Sequence, residues 1–265
     1  MNSIDKSGSN LSPLQELVGD EITIRKGRPE DAENFSQLFL MTGEEFLPAL
    51  FGPKVKKLMS SLFKYPNNYF SFENSSFLIL DNQIAGMALV FDYQQKNSWF
   101  VFVRTFFLFI RYLGWDIFSQ LSPLLRSDNI IAKIQANDLY LSNIAVSPDF
   151  RGQGLGTKLL NVVSSIAKSR GCKRIVLDVE TEKKGAIRLY QKFGYRITKK
   201  SDFPIGNHIF HFYHMILDLE VKSTPKTLPK PEHKIIKSED SKIVDHGDSV
   251  DTGKVKGIPK NPKYK

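Results

Sequence analysis

Three glycines within five residues, at 152, 154 and 156, sit between two apolar patterns of different period in Val146-Ser-Pro-Asp-Phe-Arg-Gly-Gln-Gly-Leu-Gly156. Before them, 138–146 reads Asp-Leu-Tyr-Leu-Ser-Asn-Ile-Ala-Val and predicts a strand. After them, Leu155, Leu159, Val162, Val163 and Ile166 fall on one face of a helix over 154–170. Glycine allows a positive φ and a close backbone approach to a ligand. The first N–H groups of a helix are unpaired, and the macrodipole adds partial positive charge there. The turn therefore fits a pyrophosphate, with a plain tight turn as the alternative. A Walker A loop needs Gly-Lys-Ser/Thr, but Gly156 is followed by Thr157-Lys158. A Gly-x-Gly-x-x-Gly dinucleotide fingerprint fails because the third glycine comes one residue early; Asp178 fits its downstream acid only loosely.

Around this turn the chain alternates between short strands and helices. Residues 21–25 predict a strand, and Pro29-Glu-Asp an acidic helix start followed by Phe35, Leu38, Phe39 and Met41. A second helix is predicted from Pro53 through Leu62, then a hairpin of 76–80 and 84–93 around Asp81-Asn82-Gln83. Beyond the glycines come a strand at 173–180, a helix at 183–193, and strands at 195–198 and 208–219 joined through Pro204 and Gly206. This order predicts an α/β fold with a mixed sheet and helix crossovers.

Two regions stand apart. Fifteen of the 20 residues at 99–118 are apolar, including both tryptophans and six phenylalanines. Arg104, Arg111 and Asp116 interrupt the run, so it is not a clean transmembrane span. Asn97, Arg104 and Arg111 are seven apart and predict a thin polar stripe on a helix. The rest of that helix needs an apolar partner: the sheet, a second subunit in a homodimer, a lipid surface or an acyl chain. The segment after 220 is different again. Residues 221–265 hold eleven Lys against six Asp or Glu, five prolines and ten apolar residues. That composition cannot offset ordering costs of about 1–2 kcal/mol per residue, so it reads as a disordered basic tail. Much of the chain's net charge of +9 sits there, so its basic character is weak evidence for nucleic-acid binding. The single cysteine, Cys172, excludes an internal disulfide and a cysteine-based zinc site. Of His208, His211 and His214, the first and last share a strand face and the middle one opposes them, so no metal site is expected. The first 20 residues read as a flexible start without a secretory signal, and a cytoplasmic location is expected.

Three motifs carry a family resemblance. Arg151-x-x-Gly154-x-Gly156, after Asn143-Ile-Ala-Val146, resembles the acyl-CoA signature of the GNAT superfamily of N-acetyltransferases. Arg25-x-x-Arg28-Pro-Glu-Asp31 is similar to the family's opening strand and helix start. Ala186-Ile-Arg-Leu-Tyr190-Gln-Lys-Phe-Gly194-Tyr195 resembles its second CoA-side motif. The resemblance spans residues 21–219; an insert at about 95–135 and both tails lie outside it. It implies a splayed central sheet with helices on both faces, acetyl-CoA as co-substrate, and an amine-bearing small molecule or protein as acceptor.

It also implies site residues. The pyrophosphate would rest on backbone N–H groups of Arg151, Gly152, Gln153, Gly154, Leu155, Gly156 and Thr157. The pantetheine arm would pair along Ile144, Ala145 and Val146 as an added strand does, with the thioester carbonyl polarised by an N–H near Ile144. An alkyl amine of pKa ~10 is charged at neutral pH, so a base must take a proton before attack. Asp178 is the expected base, at the place where ribosomal-protein alanine N-acetyltransferases look similar; its own alternative is edge solvation or an ion pair to Arg196. Asp138 and Glu180 are held in reserve. Tyr190 is the expected acid for the leaving thiolate, with core packing as its alternative. The family often has Asn where this chain has Lys183, which leaves one cofactor contact to a lysine. No cysteine or serine is placed as an acyl-enzyme nucleophile, so direct transfer in a ternary complex is expected. The other readings are a non-catalytic acyl-CoA-binding module, and a protein held weakly at a membrane surface by 99–118.

Overall fold

The computed structural model describes residues 22–113 and 134–219. The expectations for both tails, and for the part of the insert at 114–133, lie outside the described residues. Seven strands form one sheet: β1 (Ile22–Lys26), β2 (Ser75–Leu80), β3 (Gln83–Asp92), β4 (Asp138–Val146), β5 (Arg174–Glu180), β6 (Arg196–Ile205) and β7 (His208–Asp218). Their order is β1-β2-β3-β4-β5-β7-β6. Every neighbouring pair is antiparallel except β4 and β5, the central parallel pair.

The helices divide between the two faces. α6 (Leu155–Ser169) and α7 (Lys184–Phe193) cover one face, where Leu159, Leu160 and Val163 pack on Leu139, Leu141 and Ile175. The other face carries α1 (Ala32–Met41), α2 (Phe46–Phe51), α3 (Val55–Phe63), α4 (Tyr93–Asn97) and α5 (Trp99–Leu113). Phenylalanines dominate its core; Phe35 stacks on Phe63 with centroids 4.2 Å apart.

Local chemistry accounts for most boundaries. Asp81 and Asn82 both have positive φ, as a two-residue hairpin turn demands. Asp31 fixes the passage from β1 to α1. It takes a two-pronged hydrogen bond from Arg25, 2.7 Å on each side, and accepts the Arg28 N–H at 2.8 Å. α2 and α4 are additional to the elements expected from sequence, and both are short. β6 runs seven residues past Thr198 in partnership with β7, so Pro204 lies inside an edge strand rather than in the connection.

In α5, Leu108 and Phe109 are buried, and Phe109 stacks on Phe51 at 5.8 Å. Arg104 does not form a solvent stripe: its Nε donates to the Pro66 carbonyl at 2.8 Å, which draws it back toward the protein. Trp99, Phe100 and Phe107 are exposed. Among the described residues, no helix is long and apolar enough to cross a membrane.

Candidate active site

The site begins with a change of partners along β4. Residues 138–140 pair with 174–176 of β5, and the parallel ladder stops there. Immediately afterwards β4 carries a bulge. Val90 of β3 faces Leu141 and Leu89 faces Asn143, so Ser142 is the extra residue. A bulge bends its strand and increases the local twist. From this point β4 stays with β3 and leaves β5. The bulge is tied down on one side: Ser142 Oγ donates to Asn143 Oδ1 at 2.7 Å, and Asn143 Nδ2 donates to Thr42 Oγ1 at 2.8 Å. Thr42 closes α1, where its hydroxyl donates to the Phe39 carbonyl.

Past the bulge, β4 has one free edge. The Ser147 N–H donates to the Ala85 carbonyl, which sets the hydrogen-bonding phase with β3. Along an antiparallel pair that phase alternates. The backbone groups of Ala145 therefore face β3, and those of Ile144 and Val146 face the gap left by β5. Arg151 Nε donates to the Val146 carbonyl at 3.3 Å.

The glycine turn stands at the end of this edge. Gly152 and Gly154 have φ of +83° and +74°, and a Cβ at either would meet nothing within 4 Å, so conformation is what selects glycine there. Gly156 has a different reason. A Cβ would come 2.9 Å from Leu189 Cδ2, so this glycine lets α6 and α7 approach. The Arg151 N–H is spent on the Pro148 carbonyl and the Thr157 N–H on the Gly154 carbonyl. Between them, the amides of 152–156 have no partner among the described residues. They open the 15-residue helix α6, which has no acid in its first turn.

A cavity of about 1260 Å³ joins these parts; Ile144, Gly154, Asp178, Glu180, Lys183 and Tyr190 all line it. Tyr190 is buried in the α7 face, its ring 5.6 Å from Tyr195. Burial pushes its phenol well above the usual range, so it stays protonated at any working pH. The carboxylates differ. Asp138 is not on the cavity: it is buried and ion-paired with Arg174 at 2.7 Å. Asp178 is on it, but both oxygens are engaged. Tyr140 donates its hydroxyl to one at 3.0 Å, and His214 Nδ1 meets the other at 3.1 Å. Arg196 pairs with Asp218 instead of Asp178. Burial lowers the pKa of Lys96, with the charge of Asp178 opposing that shift.

Glu180 carries no side-chain hydrogen bond among the described residues. Burial raises its pKa, the Lys183 cation pulls it back, and Glu45 and Glu182 push it up again. His211 is 2.6 Å from Asp202 and His214 is taken by Asp178; no cluster of three metal-ligating side chains occurs among the described residues. Cys172 packs at the edge of the α6 core, away from the cavity, and burial pushes its thiol up.

Of the residues expected from sequence, the fold brings Ile144, Ala145, Val146, Arg151, Gly152, Gly154, Leu155, Gly156, Thr157, Asp178, Lys183 and Tyr190 to one cavity, while Gln153 is not among its lining residues. Sequence reasoning missed Tyr140, His214, Thr42 and Asn143. The pairing of Asp178 with His214 depends on the β5–β7 register, in which the two are directly opposite.

With this geometry in view, comparison with known proteins is specific. The model of the acetyltransferase (GNAT) family matches residues 41–195, and the chain belongs to that family. It is 36% identical over 75 residues to a thialysine N-epsilon-acetyltransferase of Sus scrofa, a stretch covering 28% of this chain and 42% of that one. It is 36% identical over 61 residues to a putative ribosomal protein bS18-alanine N-acetyltransferase of Bacillus subtilis (strain 168), covering 23% and 40%. The matched stretch thus spans less than half of either relative. In structure, it resembles an N-acetyltransferase from Staphylococcus aureus Mu50 with a TM-score of 0.57 at 19% identity, over 74% of this chain and 100% of that one. A second acetyltransferase crystal structure aligns with a TM-score of 0.51 at 21% identity, over 74% and 99%. These likenesses support the splayed α/β fold.

Proposed function

We propose that the chain is an acetyl-CoA-dependent N-acetyltransferase that moves an acetyl group to a primary amine by direct attack in a ternary complex. The observation that carries this is the junction on one cavity of the 152–156 amides, which have no partner among the described residues, and of a β4 edge that β5 leaves uncovered, with Arg151 on the Val146 carbonyl. The amides of 152–156 suit a diphosphate, and the free edge at Ile144 and Val146 suits the amide-bearing pantetheine arm. The acetyltransferase domain occupies 21–219 in this reading, with the insert at about 95–135.

Acetyl-CoA supplies the acetyl group as a thioester. The Ile144 N–H, turned to the gap, donates to the thioester oxygen as charge develops there; such a donor is worth about 2.7–4 kcal/mol. Glu180 takes the amine proton. It is preferred over Asp178 because its carboxylate makes no side-chain hydrogen bond among the described residues and because burial brings its pKa closer to the working pH. Asp178 instead is engaged by Tyr140, which lines the cavity, and by His214, which is not among its lining residues. Tyr190, kept protonated by burial, donates a hydrogen bond to the departing thiolate. Lys183 and Arg151 supply positive charge beside the glycine turn. Cys172 lies off the cavity, which supports transfer without an acyl-enzyme.

The test is calorimetric binding of acetyl-CoA, followed by mass spectrometry of an amine panel. Micromolar binding with a 42 Da gain on an amine is expected. Binding without transfer to any amine would favour a non-catalytic acyl-CoA-binding module.

A further inference from the structure

The cavity exceeds the roughly 300–1,000 Å³ of ordinary small-molecule pockets. Arg151, Lys183 and Lys184 belong to the glycine turn and the start of α7. The rest of the lining combines the carboxylates Asp178 and Glu180 with aromatic rings, and includes Lys96, whose charged form the charge of Asp178 favours. Glu180 lies opposite Phe212 in the β5–β7 pair, and Phe212 packs edge-on against Phe46 with centroids 4.9 Å apart. Asp178 is held by Tyr140, whose ring is 5.2 Å from Phe91, and Phe91 is 5.7 Å from Tyr69. Phe102 and Phe106 of α5 line the same space, stacked within 8° of parallel, and both keep open surface. The insert helix therefore supplies a wall of the site.

Resting on the reading above, we infer that the acceptor is a primary amine carrying a bulky apolar body, an aryl group or an alkyl chain of several carbons. Glu180 meets the amine and the rings take the body. Carboxylates beside aromatic faces suit an ammonium group arriving from water, because both attract a cation. A long acyl chain on the donor would fill apolar space but has no use for those carboxylates. A polyamine would need acids again at its far end, where the wall offers Phe102 and Phe106.

The test is a homologous series of amines with the full chain and saturating acetyl-CoA: methylamine, propylamine, hexylamine and 2-phenylethylamine, with spermidine and an alanine-ended peptide alongside. We expect kcat/KM to rise about fourfold per added methylene, the value of one buried CH₂. Phe106→Ala should reduce that slope, and Phe106→Leu should largely restore it. A flat series overturns the inference, as does spermidine or the peptide outperforming hexylamine. So does a slope that follows acyl length across acetyl-, butyryl- and hexanoyl-CoA. Saturation-transfer NMR of hexylamine on the unsubstituted protein reads the same room without turnover; absence of transfer from aromatic protons overturns the inference. Acetyl-CoA binding is measured separately, so loss of the transferase reading is distinguishable from loss of this substrate class.

Discussion

β4 and β5 are the same two strands at both ends, yet the two ends behave as different materials. At residues 138–140 and 174–176 they are laddered, and the pair is locked by buried Asp138 against Arg174. After the Ser142 bulge they part, and the backbone of Ile144 and Val146 faces a cavity instead of a strand. Backbone groups left unpaired inside a protein are costly, and the great majority of them find partners. The closed end thus contributes stability, and the open end gives some up to hold a binding edge. The same contrast separates the three carboxylates: Asp138 is ion-paired with Arg174, Asp178 meets Tyr140 and His214, and Glu180 makes no side-chain hydrogen bond among the described residues.

The sharpest way to break this contrast is Glu180→Gln. Loss of the base should lower kcat by about 10²–10⁴ while acetyl-CoA binding by calorimetry is retained. An unchanged kcat would return the role to Asp178. Tyr190→Phe removes the hydrogen-bond donor without removing the ring. A fall in kcat of about 10² with KM for acetyl-CoA little changed is expected in steady-state kinetics. Asp138→Ala attacks the closed end and should act on stability. Arg174 keeps some access to water, so the cost is about 1–3 kcal/mol, below that of a fully buried pair. A lowered Tm in a thermal melt, with kcat per folded molecule preserved, is the expected result.

The smallest effect is on pH dependence. Burial raises the pKa of Glu180 and Lys183 opposes it. The ionised base therefore accumulates as pH rises through that raised value, and kcat/KM climbs with it. Lys183→Ala removes the opposing cation, raises the pKa further and moves the acid limb of the profile to higher pH. A move to lower pH would contradict the assignment.

Much of this was legible in the sequence because it is local chemistry. The β4 span, the glycine turn and the face of α6 follow from periodicity and from residues that tolerate positive φ. Tyr190 and Asp178 were expected from the family resemblance; both lie on the cavity, but Asp178, expected as the base, has both oxygens engaged. What was not legible depends on register. The Ser142 bulge reverses the side-chain alternation of β4, so Leu139, Leu141 and Ile144 all meet the α6 core despite their spacing. The Asp178–His214 and Asn143–Thr42 contacts join residues 36 and 101 positions apart. The choice of Glu180 over Asp178 rests on those partners, which strand parity alone does not supply.

The most direct measurement is an amide NMR titration of the full chain with coenzyme A. The account predicts that the resonances of 152–156, Ile144 and Val146 shift together at one affinity, while Leu139 and Ile175 of the laddered end stay in place. If instead the shifts fall elsewhere and leave those seven amides unmoved, the diverging strands are not where the coenzyme sits.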